Sequence, residues 1–173
     1  MEAYAREIAS LLDYLKIEKA CIGGLSMGGY TAFNLYRLFP EKFSALLLFD
    51  TSAAADTPEK RQTRFELIEK IDREGISALV SEMLPNLVSE HTKKENPELI
   101  ERLEKKFYEI SPKAATAALR GLAVRLDHTE MLARISVPTL LIYGAEDKVT
   151  NLETAALLDS KIPDSKLFTI QKA

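Results

Sequence analysis

Ser26 is the residue in this chain best placed for chemistry. It stands in Gly24-Leu25-Ser26-Met27-Gly28, a G-x-S-x-G pattern associated with nucleophilic attack by an exposed hydroxyl. A short apolar stretch, Ala20 to Gly23, runs into the motif, and small and aromatic residues continue from Tyr30 to Phe39 as a helix. The backbone must therefore reverse sharply at Ser26. A strand that becomes a helix within one residue brings the positions two before and two after it together, and Gly24 and Gly28 have no Cβ to collide there. Ser26 would then stand at the tip of the turn, beside a helix start whose dipole and free N–H groups favour developing negative charge. The same residues also suit a Gly-rich turn in which the hydroxyl only caps the helix.

Other reactive groups are few. His91 and His128 have no partners at metal-ligand spacing, so neither a metal nor a cofactor is expected. Cys21 is the single cysteine, and its place in an apolar strand predicts a buried, inert thiol.

The elements that would hold Ser26 in place are legible on either side of it. Residues 2–16 put Tyr4, Ile8, Leu11, Leu12 and Leu15 on one stripe, an amphipathic helix. After Phe39-Pro40, the run from Ala45 to Asp50 is apolar without alternation, as in a buried parallel strand. Strand, helix, strand makes a βαβ unit. From Thr57 to about Leu126 charged amphipathic helices take over, with stripes such as Phe65, Ile68, Ile71 and Leu99, Leu103, Phe107, Ile110. Thr57-Pro58 and Ser111-Pro112 read as helix starts. A third strand signal, Pro138 to Tyr143, ends in Gly144-Ala145-Glu146-Asp147; a helix from Leu152 to Ile162 and a strand from Lys166 to Ile170 follow. The fold class is α/β.

With 173 residues, 46% hydrophobic and 28% charged, the chain reads as one globular domain with a sizeable core. Its 23 basic and 26 acidic residues, net charge −3, are spread along the length and give no footprint for nucleic acid or an anionic membrane. No apolar run approaches spanning length, and a cytoplasmic location is expected.

Four segments together resemble the α/β-hydrolase superfamily, and within it the lid-bearing esterases, enol-lactonases and perhydrolase-like members. They are GLSMGGY, FPEKFSALLLFDTSAAADTPE, RLDHTEMLARISVPTLLIYGAEDKVT and IPDSKLFTI. The resemblance implies the second half of that fold: a parallel sheet of about four strands, core segments 1–56 and 127–173, and an inserted helical lid over 57–126. It implies a serine hydrolase acting on a small carboxylic ester or lactone. Ser26 matches the nucleophile and Asp147 the triad acid, with Glu146 a rival and an ordinary turn residue the plainer alternative. The Met27 backbone N–H matches one oxyanion-hole donor.

The chain departs from the family in three ways. The family's Gly-His pair would fall where the sequence reaches Gln171-Lys172-Ala173. The first strands, with the loop that donates the other oxyanion N–H, have no counterpart, nor do the two helices that cover one sheet face. Nothing in the sequence places His91 or His128 over Ser26. The chain is therefore expected to be truncated and, alone, weakly active or inactive. It is also expected to pair through the uncovered sheet face, as a homo-oligomer or with a complementing polypeptide. The alternatives are a non-catalytic, self-associating remnant of the fold, and an acyltransferase or perhydrolase.

Overall fold

The structure, a computed structural model, describes residues 1–173. It divides into two compact units. The first comprises Met1–Ala54, Leu126–Ala145 and Thr150–Gln171, and the second Ala55–Arg125, Glu146–Val149 and Lys172–Ala173.

The first unit is built on four parallel strands in the order β1-β2-β3-β4: β1 Ala20–Leu25, β2 Phe43–Phe49, β3 Thr139–Gly144 and β4 Ser165–Ile170. The four strands and their parallel direction agree with the expectation, and strand ends differ from it by one or two residues. Parallel neighbours need crossovers, and helices supply the covering layer. Helix α1 (Glu2–Tyr14) precedes β1, and α2 (Met27–Leu38) links β1 to β2. Leu46, Leu48, Leu141 and Tyr143 point to one side of the sheet and are fully buried in a core with Phe33 and Leu35 of α2. Each such side chain contributes on the order of 1.5–3 kcal/mol by leaving water.

The opposite face is exposed. Register places Leu25, Phe49, Ile142 and Phe168 in one row across the four strands. Leu25 and Phe168 are each 63% exposed, and Phe49 and Ile142 are half-buried. Cys21 belongs to this face and is exposed, which corrects the expectation of a buried thiol: an apolar strand buries its side chains only where a layer covers them. Helix α1 carries a second correction. Ala5, Ala9 and Leu12 are its buried stripe, whereas Tyr4, Ile8, Leu11 and Leu15 are exposed. The small side chains let α1 approach α2 closely. Tyr4, Ile8 and Leu11 line a cleft of about 440 Å³ together with Ile22, Met27 and Leu35.

The second unit is helical: α3 Pro58–Glu74, α4 Ser77–Met83, α5 Glu90–Glu95, α6 Pro97–Tyr108 and α7 Pro112–Ala123. The helix starts are capped as their sequences require. Thr57 accepts from the Lys60 N–H at 3.3 Å and Ser111 from the Ala114 N–H at 3.1 Å, each with proline next in line. Ile68, Ile71, Leu79, Ala115 and Leu119 form its small core. The carboxylate of Asp56, fully buried, is held by the guanidinium groups of Arg64 and Arg125. Burial pushes Asp56 towards protonation, but the hydrogen bonds from Arg64 and Arg125 outweigh it and hold its pKa below the usual carboxylate range.

The chain closes the first unit with α8 (Leu152–Lys161), which lies between β3 and β4 in sequence. No helix is long and apolar enough to cross a membrane.

Candidate active site

Ser26 lies between the last residue of β1 and the first of α2 with φ 48° and ψ −109°. A non-glycine residue in that region costs on the order of 1–3 kcal/mol. The surroundings hold it there through every backbone polar atom it has. Its N–H donates to the Phe49 carbonyl at 2.9 Å. Its carbonyl accepts from the N–H groups of Gly29 and Tyr30, at 2.9 and 3.3 Å, and from the Thr51 hydroxyl at 2.8 Å. The side chain, by contrast, makes no capping hydrogen bond and is exposed. The capping alternative therefore fails, and the hydroxyl is free to act. Met27 is the first residue of α2, so its N–H has no carbonyl one turn behind it and points out of the helix start.

The glycine requirement falls differently from the sequence expectation. A Cβ on Gly24 would overlap the backbone of Gly28 and Gly29, as expected, but a Cβ on Gly28 would meet nothing. The second indispensable glycine is Gly29, whose added Cβ would overlap the Thr51 side chain. A pair of adjacent glycines in GGY was the only trace of this in the sequence.

β1 and β3 are parallel members of one sheet, so Ser26 and Ala145 leave it at the same, carboxyl, edge, where sites in open α/β sheets are built. Asp147 follows in the turn after β3. It is half-buried, and its Oδ1 accepts from the Val149 N–H at 2.6 Å, an Asx turn. Glu146 is exposed, and its N–H donates to the Ala173 carbonyl at 2.7 Å. Between the two strand ends sits Asp50, with φ 39°, whose Oδ1 accepts from the Gly144 N–H at 2.9 Å.

Neither histidine is joined to Ser26. His128 is 4% exposed, its ring stacks obliquely on Phe33 at 6.1 Å, and its Nε2 is buried without a hydrogen-bond partner. Burial lowers its pKa, and the positive charge of Arg37 lowers it further against the opposing pull of Asp127. His91 is exposed on α5. The residues that sequence reasoning missed are Thr51 and Tyr143, both fully buried at the carboxyl edge. A tyrosine in an otherwise aliphatic strand is the faint signal that pointed to them.

Comparison with known proteins completes the description. The model of the alpha/beta hydrolase fold family matches residues 1–173. A 3-oxoadipate enol-lactonase from Acinetobacter baylyi is 28% identical over 165 residues, covering 95% of this chain and 60% of its own length. A thermophilic esterase from Thermogutta terrifontis, solved with malate bound, superposes with a TM-score of 0.96 at 36% identity, over 99% of this chain and 64% of that one. An enol-lactonase from Burkholderia xenovorans shares the fold at 23% identity, with a TM-score of 0.86 over 96% of this chain and 62% of its own. The chain thus spans about three fifths of the length of the relatives it matches. From the strained serine at the strand-to-helix turn, the parallel sheet beneath it and the match along its full length, the chain belongs to the α/β-hydrolase fold family.

Proposed function

We propose that this chain carries the nucleophile and the acid of a serine hydrolase that cleaves a small carboxylic ester or lactone. The observation that carries the proposal is Ser26 itself, an exposed hydroxyl on a strained backbone with no structural hydrogen bond to make. In the reaction the Ser26 Oγ attacks the substrate carbonyl carbon while its proton passes to a histidine. The Met27 N–H stabilises the oxyanion, and the alcohol or enol leaves with the proton. Water then cleaves the acyl-serine ester by the reverse sequence. Asp147 orients the histidine and balances its charge. The esterase and enol-lactonase relatives support the substrate class.

The histidine comes from outside these 173 residues. His128 is committed to the Phe33 contact with its Nε2 buried, and His91 sits exposed on a separate unit. Loss of one triad member costs on the order of 10⁴ to 10⁶ in turnover, so the isolated chain is weakly active or inactive. The second unit serves as the lid. The exposed row Leu25, Phe49, Ile142 and Phe168 supports pairing with a second copy or with a complementing polypeptide, because an apolar patch of this kind is unusual on a soluble monomer.

Fluorophosphonate labelling tests the chemistry. Ser26-dependent modification that is slow in the chain alone supports it, and labelling that persists in Ser26→Ala overturns it. Rapid stoichiometric labelling of the chain alone would mean that it holds a base of its own. A complementing polypeptide that supplies a histidine is expected to accelerate the labelling.

A further inference from the structure

The Ser26 carbonyl is tied to a strand two places away in the sheet through a chain of buried polar groups. The Thr51 hydroxyl donates to the Ser26 carbonyl at 2.8 Å, and the two residues are 25 positions apart. Thr51 is itself gripped from the other side. The phenol of Tyr143 on β3 donates to the Thr51 carbonyl at 2.5 Å and accepts from the Thr51 N–H at 3.3 Å. Thr51 and Tyr143 are both 0% exposed. One residue earlier, Asp50 makes a parallel link to the same strand through the Gly144 N–H at 2.9 Å. The dipeptide Asp50-Thr51 thus bridges the nucleophile turn and the strand whose end leads to Asp147.

Buried polar groups persist only when satisfied, and a satisfied network rigidifies the atoms it joins. Here the joined atoms are those that hold Ser26 out of an ordinary backbone conformation. The absence of a side chain at Gly29 is part of the same fit, since a Cβ there would take the space of the Thr51 side chain.

We infer that Thr51 is a positioning residue for the nucleophile. Its hydroxyl fixes the Ser26 peptide, and Tyr143 fixes Thr51, so the angle at which the Ser26 Oγ is presented depends on β3 as well as on the turn. This rests on the proposed role of Ser26 as nucleophile, but its structural half stands without it.

Thr51→Val keeps the shape and removes the hydroxyl, Thr51→Ser keeps the hydroxyl, and Tyr143→Phe removes the second link. Amide hydrogen exchange of Gly29 and Tyr30, whose N–H groups bond the same Ser26 carbonyl, reads the geometry whether or not the chain is active. Thr51→Val is expected to speed that exchange at least about tenfold relative to Leu46 in β2, Tyr143→Phe to do so by less, and Thr51→Ser to stay within about twofold of the parent. With p-nitrophenyl acetate as probe, Thr51→Val is expected to lower kcat about 10- to 100-fold at nearly unchanged KM, the loss that follows from a misplaced reacting group. Exchange in Thr51→Val like that of the parent, or an equal acceleration in Thr51→Ser, overturns the inference. A chain that stays silent towards the ester even with a complementing polypeptide that supplies the histidine, with exchange behaving as stated, counts against the hydrolase proposal and leaves the positioning role supported.

Discussion

At the scale of single residues, the motif divides into parts that do different work. Gly24 and Gly29 are there for space, and Gly28 is not. Gly24→Ala is expected to cost about 3 kcal/mol or more, because its Cβ would displace backbone rather than a mobile side chain. Gly28→Ala should be neutral or stabilising by up to about 1 kcal/mol, since it adds a helix-favouring residue in open space near the start of α2. Urea midpoints of the two variants decide this. Equal destabilisation would mean that the turn is tighter at Gly28 than described. Ser26→Ala, by contrast, is expected to relieve nothing of the fold's packing and to remove only the labelling reaction, its side chain being exposed and unbonded.

At the scale of elements, two buried ionisable groups set the response to acid. Asp56 is ionised between Arg64 and Arg125, with its pKa lowered. A lowered carboxyl stabilises the fold above its unfolded value, near pH 3.9, and that stability drains away as pH falls through the folded value. Replacing Asp56 with Asn leaves Arg125, 6% exposed, without its counter-charge. The expected loss is about 3 kcal/mol, read as a lower urea midpoint for the helical signal at 222 nm. His128 acts at milder pH. It is folded in the neutral form with a lowered pKa, so its contribution is complete above about pH 6.5 and is lost as pH falls from there towards the folded value. His128→Leu is expected to flatten the stability profile just below about pH 6.5. A slope that survives the substitution would assign the acid response to other groups.

At the scale of the whole molecule, the exposed sheet face has the largest consequence. The row Leu25, Phe49, Ile142 and Phe168 is continuous across all four strands. The β1 edge, paired only with β2, adds an open ladder beside it. Light scattering at micromolar concentration is expected to find the chain associated, and Leu25→Lys with Phe168→Lys to shift it towards monomer. Both positions are 63% exposed, so the lysines cost the fold little while making the face unfit for burial. A monomeric parent chain would remove the case for pairing.

What the amino-acid sequence determined was local. Apolar runs named the four strands, Thr57-Pro58 and Ser111-Pro112 marked helix starts, and the spacing of glycines around Ser26 announced the turn, because each of these is written in neighbours a few positions apart. The exposure of Cys21 and the buried stripe of α1 were not legible: a strand or helix shows which residues are apolar but not which face another layer covers. The network from Ser26 through Thr51 to Tyr143 was equally hidden, since it joins residues 25 and 92 positions apart that meet only when the parallel sheet aligns the ends of β1, β2 and β3. Chemistry could be guessed from the motif, and its support came from tertiary contacts between segments that carry no sign of one another.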